Sequence, residues 1–186
     1  MKIPPWVVIL WLSLSAAGAP VTVTATVEPA TARAGEVVEL RLSVGLQEGY
    51  HIYAAAQRGD GPLPTSFLPA EGLPAEVLGG LREPKPAEHF DEGFQLDVLT
   101  QAGQVVFTQP LRLPADAKPG PLTLSGRLSY QACTDRTCLR PAKDEVSATV
   151  TVEAGAARPE HQAVPLESGW TASTGAAEPA PEPQQM

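Results

Sequence analysis

The chain has two cysteines, Cys133 and Cys138, with four residues between them in the stretch Tyr130 to Pro141, YQACTDRTCLRP. Two thiols so placed suit three chemistries. They can tie a turn as a structural disulfide, exchange with a partner disulfide through a mixed disulfide, or hold a soft metal with a third ligand such as His51. In the chain-entropy account, closing a loop of about six residues contributes roughly 2 kcal/mol, against almost 5 for a loop of about a hundred. As a staple the bond is poorly placed. A domain of this length also buries roughly two thirds of its unfolded surface, so its core has little need of one. A C-x4-C spacing lies at the edge of zinc usage. The residues alone leave the structural disulfide, the redox pair and the metal site open.

The segments that must position the pair read as strands. Leu122 to Gln131 leads into the cysteines and Val146 to Glu153 (VSATVTVE) follows them, both alternating apolar and polar residues. If the two are neighbours, the cysteines sit at the foot of a short polar turn, Thr134 to Thr137. Such a turn brings two Cα atoms to the roughly 5.5 to 6 Å that a disulfide prefers. In an oxidising compartment the pair is expected to be bonded.

Composition supports a β protein. The 186 residues contain 20 prolines and few aromatics, alongside alternating Val, Thr and Leu segments, which favours short strands and many turns over helices. The formal charge of −8 and the lack of a basic stripe exclude a nucleic-acid binder. Asparagine is absent, so no N-glycosylation acceptor exists.

Residues 1–19 carry the features of an export signal: Lys2, the apolar run Trp6 to Leu14, and the small residues Ser15 to Ala19. The run is shorter than the roughly 20 apolar residues of a membrane anchor. Cleavage is expected to leave a soluble periplasmic or secreted bacterial protein with no transmembrane domain of its own. From Val21 the period is two. VTVTATV (Val21 to Val27) and VVELRLSV (Val37 to Val44) flank a turn at Ala34 to Glu36, and GYHIYA (Gly49 to Ala54) puts Tyr50 and Ile52 on one face and His51 and Tyr53 on the other. Short strands are expected at Ser66 to Leu68 and Ala75 to Leu78, and longer ones at Phe94 to Leu99 and Gln104 to Leu113, the last two joined by a turn at Gln101 to Gly103. Between them, Glu83 to Gly93 reads as an irregular charged loop. About eight or nine short strands with frequent turn signals indicate an all-β, immunoglobulin-like β-sandwich. The folded domain spans 20–153, and 154–186, rich in Ala, Pro, Glu and Gln with one aromatic, Trp170, is expected to be a disordered tail.

With these segments in hand, the chain resembles the N-terminal periplasmic domains of DsbD, immunoglobulin-like modules also classed as disulfide bond correctors. The resemblance covers roughly Val21 to Glu153. It rests on the YQ-x-C-x(4 to 5)-C-x-x-P block, met by Tyr130, Gln131, Cys133, Cys138 and Pro141, and on the G-Y-x-x-Y strand of Gly49, Tyr50 and Tyr53. It implies a thiol-disulfide interchange domain that carries electrons between thioredoxin-fold proteins, with disulfide isomerases and cytochrome c maturation factors among the acceptors. Cys133 and Cys138 would be the redox pair, Cys138 forming the mixed disulfide. His51, Tyr53, Tyr130 and Gln131 would wall the site. The loop around Glu88 to Gly93 would cap it, with Phe90 as the shielding aromatic and Asp91 and Glu92 as its carboxylates. No cofactor or metal is called for. Because the chain ends at Met186 without a membrane segment, the expectation is either a separate protein as electron source, a membrane transporter among the candidates, or a free-standing relative with other partners. His51 departs from the family, whose best-known members carry a tyrosine there. The competing reading is a non-catalytic immunoglobulin-like binding or assembly domain whose disulfide ties a turn.

Exchange needs a thiolate. Arg136 and Arg140 would favour one, as would a protonated His51, while Asp135, Asp91 and Glu92 would oppose it.

Overall fold

The structure, a computed structural model, describes residues 19–57 and 61–164. The greater part of the expected export segment (residues 1–18) and Trp170 lie outside the described residues. Among those described, the elements are twelve strands and a single turn of 3-10 helix at Pro159–His161. The strands are β1 (Val21–Glu28), β2 (Thr31–Arg33), β3 (Val37–Leu46), β4 (His51–Tyr53), β5 (Ser66–Pro69), β6 (Glu76–Val77), β7 (Ala87–Asp91), β8 (Leu96–Ala102), β9 (Gln104–Arg112), β10 (Gly120–Tyr130), β11 (Ala132–Cys133) and β12 (Ala142–Glu153).

Two four-stranded sheets, ordered β1-β3-β9-β6 and β2-β12-β10-β5, face each other as an immunoglobulin-like sandwich. Their inward faces follow from period two. Val38, Leu40, Leu42 and Val44 of β3 are fully buried, and Phe107 and Leu111 of β9 join them. They pack on Leu124 and Leu128 of β10 and on Val146, Val150 and Val152 of β12. Burying a side chain of this size contributes about 1.5–3 kcal/mol. A dozen such side chains outweigh a short disulfide loop by a wide margin, so the sandwich core rather than the cysteine bond holds the fold.

A third sheet, β11-β4-β8-β7, sits at one end. β10 and β12 pair antiparallel from Gly120↔Val152 to Tyr130↔Ala142, so the cysteine turn emerges at the Tyr130 end of this hairpin. The expectation that the two flanking strands are neighbours holds. The Cα atoms of Cys133 and Cys138 are 4.0 Å apart, closer than expected, because the two residues are themselves partners in an antiparallel bridge.

Three sequence expectations need correction. Glu83 to Gly93 is not wholly irregular: its second half is β7, paired with β8 from Ala87↔Thr100 to Asp91↔Leu96. The charges hid a hairpin whose turn is made by the carboxylate of Asp91 and by Gln95 at φ 56°. Strand β8 runs through Gln101 and Ala102, and only Gly103, at φ 70°, breaks the chain before β9. The two strands enter different sheets: β8 pairs with β4 and β7, and β9 with β3 and β6.

The third correction concerns the start of the tail. Residues 154–164 pack back on the domain rather than leaving it. Arg158 reaches the fully buried Glu36, its Nε donating to Oε1 at 2.8 Å and Nη2 to Oε2 at 2.7 Å. The backbone N–H groups of Arg158 and Arg33 donate to the same carboxylate at 2.7 and 2.9 Å. The Arg158 hydrogen bonds, aided by those two N–H groups, overcome burial and hold the Glu36 carboxyl down to about 2.

Candidate functional site

The third sheet places the cysteines. β11 pairs with β4, setting Ala132 opposite Ile52 and Cys133 opposite His51. β4 then pairs with β8 through His51↔Ala102 and Tyr53↔Thr100. The alternation expected in GYHIY holds: Ile52 and Tyr50 pack on the sandwich core, while Tyr53 forms a separate buried cluster with Val98 and Cys133.

Cys133 and Cys138 are bonded. Cys133 is 1% exposed, whereas Cys138 lies on the exposed side of the turn. The turn is held by Thr134, whose hydroxyl accepts from the N–H groups of Arg136 and Thr137 at 3.3 and 3.2 Å. Leu139 N–H donates to the Ala132 carbonyl at 2.8 Å, and Gln131 Nε2 donates to the Leu139 carbonyl at 3.0 Å. The turn therefore leaves Cys138 exposed and buries Cys133.

Tyr53 forms the floor. Its hydroxyl donates to Asp91 Oδ2 at 3.1 Å and stands 3.9 Å from Cys138 Sγ. Burial, and then the Asp91 carboxylate, push the phenol up to about 12, so it is a neutral donor at any physiological pH. Burial alone would raise the Asp91 carboxyl, but hydrogen bonds from Phe94 N–H, the Tyr53 hydroxyl and Gly93 N–H hold it below the ordinary range. A single carboxylate thus joins the β7-β8 turn to the tyrosine beneath the disulfide.

Behind Tyr53 the chain is pinned by polar groups in the interior. Thr65 Oγ1 donates to the Tyr53 carbonyl at 2.6 Å. Glu83, 1% exposed, accepts from Ala56 N–H and Gln101 Nε2 at 3.1 and 3.0 Å, and burial raises its carboxyl. Gln57 bridges to both the N–H and the carbonyl of Leu99.

The expected site residues are only partly assembled. His51, Tyr53 and Asp91 gather with the two cysteines. The shielding aromatic is a correction. Phe90 is 56% exposed and pairs with Asp97. His89 and Asp91 pair with Val98 and Leu96, the residues packed in the sulfur cluster, and strand alternation turns Phe90 to the other face. Phe94, in the turn after β7, meets Tyr53 edge-on at a centroid distance of 6.0 Å. Glu92 is exposed in the same turn. Tyr130, expected on the wall, belongs to the sandwich core and donates to Asp144 Oδ2 at 2.7 Å. Asp135, Arg136 and Arg140 are exposed on or just beyond the cysteine turn.

The sequence did not single out His89. It is exposed, yet its ring lies 5.8 Å from that of His51 and its Nδ1 is 3.4 Å from Thr100 Oγ1. A period-two reading of Ala87 to Asp91 would have put it on the face of Asp91. Among the described residues, no group of three or more His, Cys, Asp or Glu is placed to hold a metal ion. No described helix is long and apolar enough to cross a membrane.

Residues 19–150 match the family model of the thiol:disulfide interchange protein DsbD, N-terminal. Comparison with curated proteins returns no significant match. Among solved structures, the N-terminal periplasmic domain of ScsB from Proteus mirabilis is 19% identical, with 71% of this chain and 45% of that one covered at a TM-score of 0.47. The chain thus spans less than half of that relative. The reduced Neisseria meningitidis DsbD N-terminal domain is 21% identical, with 64% and 82% covered at a TM-score of 0.41. A type I cohesin from Pseudobacteroides cellulosolvens is 10% identical over 72% and 94%, at a TM-score of 0.37.

Proposed function

The chain belongs to the family of DsbD N-terminal domains, and from that premise we propose that it shuttles reducing equivalents between thioredoxin-fold proteins through Cys133 and Cys138. The observation that carries this reading is the asymmetry of the bond, with Cys138 exposed and Cys133 buried. A purely structural bond has no use for one open sulfur above a tyrosine and a carboxylate.

In the proposed cycle a donor thiolate attacks Cys138 Sγ and Cys133 leaves. The donor's second thiol then resolves the mixed disulfide, and the dithiol so formed reduces an acceptor disulfide by the same steps in reverse. Tyr53, neutral and resting on Asp91, turns its one hydroxyl proton from that carboxylate to the sulfur of Cys138, 3.9 Å away, as the sulfur gains charge. The turn from Asp91 to Gln95, with Phe94 laid against Tyr53, acts as a cap that moves when a partner docks. Disulfide isomerases and cytochrome c maturation factors are the acceptors that the family suggests. The domain proper begins at 20, takes in the packed segment 154–164, lies behind an export signal at 1–19, and works in the periplasm.

The test uses Cys133→Ser, which leaves Cys138 as the single thiol. Incubated with an oxidised thioredoxin-fold protein, it should accumulate a mixed disulfide seen by mass spectrometry, and Cys138→Ser should not. If neither variant traps a partner, and replacing both cysteines leaves cellular function intact while lowering the melting temperature, the domain is a binding module with a tied turn.

A further inference from the structure

One buried group beside the disulfide is not used by that cycle. The Nε2 atom of His51 is inaccessible to solvent and has no hydrogen-bond partner. Buried polar atoms without partners are few in native proteins, and each calls for an explanation. His51 is the register partner of Cys133 across the β4-β11 ladder. Directly paired residues share one face of a sheet, with Cβ atoms about 4.5–5.5 Å apart. The unpartnered nitrogen therefore belongs to the side chain directly opposite Cys133, the cysteine that is 1% exposed. In the oxidised state Cys133 Sγ carries no proton. Opening the bond gives it one.

We propose that His51 is the base that accepts the Cys133 proton when the reduced pair closes on a mixed disulfide, its free Nε2 being the acceptor that the buried thiol otherwise lacks. The inference rests on the exchange reading above. The steps balance. Cys138 thiolate, its proton lost to solvent, attacks one sulfur of the acceptor disulfide and releases the first acceptor thiolate, which takes a proton from water. His51 then takes the Cys133 proton. Cys133 thiolate attacks Cys138 Sγ, the Cys133–Cys138 bond forms, and the bond from Cys138 to the acceptor breaks. The second acceptor thiolate leaves with the proton carried by His51. The dithiol loses two electrons and the acceptor disulfide gains two.

The surroundings suit a neutral base. Burial, and then the neighbouring His89, lower the imidazole pKa, so the ring is uncharged at neutral pH. Two carboxylates work against that shift, Asp135 in the cysteine turn and Asp91 on β7, and they would steady the imidazolium once formed. Tyr53, two residues along β4, presents a ring edge at 5.8 Å, and the β8 partner, Ala102, is uncharged. Solvent serves less well than His51, because Cys133 is 1% exposed.

The test follows closure of the pair in the full chain. Reduced protein is mixed with oxidised glutathione between pH 5.5 and 9.5, quenched with acid, and the mixed disulfide and closed disulfide are counted by mass spectrometry. His51→Gln should lose rate about tenfold for each pH unit below an ordinary thiol pKa of about 8.5. Formation of the mixed disulfide should slow with falling pH in both proteins, but in the parent the step from mixed to closed disulfide should hold its rate, so that at pH 6.5 the closing steps differ by up to about a hundredfold and only the variant accumulates the mixed disulfide. Parallel profiles would overturn the role of His51 while leaving the exchange reading intact. No mixed disulfide in either protein at any pH would instead overturn the exchange reading, and this inference with it. A second measurement avoids the variant. In the unaltered chain the imidazole resonances of His51 should titrate lower in the reduced state than in the oxidised, because the Cys133 thiol then donates to the neutral ring, and identical titrations would refute the proposal.

Discussion

The two ends of the β10-β12 hairpin are built on opposite rules. At the Gly120 end, Glu36 is buried but fully partnered, taking two bonds from the Arg158 guanidinium and two from backbone N–H groups, each between 2.7 and 2.9 Å. At the Tyr130 end, a hydroxyl stands 3.9 Å from the disulfide, the rings of His51 and Phe94 each meet that of Tyr53 edge-on with centroids near 6 Å apart, and an imidazole nitrogen has no partner. Charge-assisted bonds at short range fix one arrangement and resist change. Long and unfilled contacts leave room for a sulfur to gain charge and for a turn to shift. The Glu36 carboxylate is fully partnered where the tail segment is held, although Arg33 Nε beside it is not, and the groups around the disulfide are more loosely met.

Cysteine removal should break the comparison most sharply. Cys138→Ser should abolish exchange with any disulfide probe, yet cost no more than about 2 kcal/mol in urea denaturation, since a short loop contributes little. A loss much larger than that would mean the bond belongs to the stability end after all.

Next in size, and opposite in kind, is Glu36→Gln. It should leave exchange rates unchanged and lower stability at pH 7 by about 2 kcal/mol, toward the low side for a broken buried pair because solvent screens the Arg158 side. The Glu36 carboxyl is held down to about 2 in the folded state. Its contribution is thus fully present above the unfolded carboxyl range near 4.3 and disappears as pH falls through about 2. Denaturation curves of parent and variant should therefore converge near pH 2 and stay apart at pH 7. A constant gap would show that packing, not charge, binds the segment.

Tyr53→Phe sharpens the picture at the other end. Losing the hydroxyl frees Asp91 and removes the donor nearest Cys138 Sγ. Reduction by a small thiol should change about fivefold, the worth of roughly one hydrogen bond, while the melting temperature moves little. The smallest effect separates the two aromatics. Phe94→Ala should speed attack on the disulfide by a small thiol about twofold to fivefold, on the order of one lost aromatic contact, and Phe90→Ala should not. Equal effects would return Phe90 to the cap.

Much of this was legible in the chain. Alternation in Val37 to Val44 and Val146 to Glu153 located the sandwich, and the spacing of Cys133 and Cys138 located the turn. His51 and Tyr53 were correctly set on the face away from Ile52. The cap was misread because Glu88, Asp91 and Glu92 suggested a solvated loop. A charged segment can still be a strand when every second side chain points off the sheet, and a shift of one position then exchanges Phe90 for His89. Tyr130 stands two residues before β11, and only the handover from the sandwich to the third sheet turned it toward Asp144.

The sequence by itself determined the all-β sandwich and the closeness of the two cysteines at one turn, because period-two hydrophobicity and cysteine spacing are local properties of the chain. Only the tertiary structure decided that Arg158 closes on Glu36 across 122 residues, that Phe94 rather than Phe90 meets Tyr53, and that His51 is left with an empty nitrogen opposite Cys133. Those depend on which strands lie side by side and in what register, and no single segment carries that information.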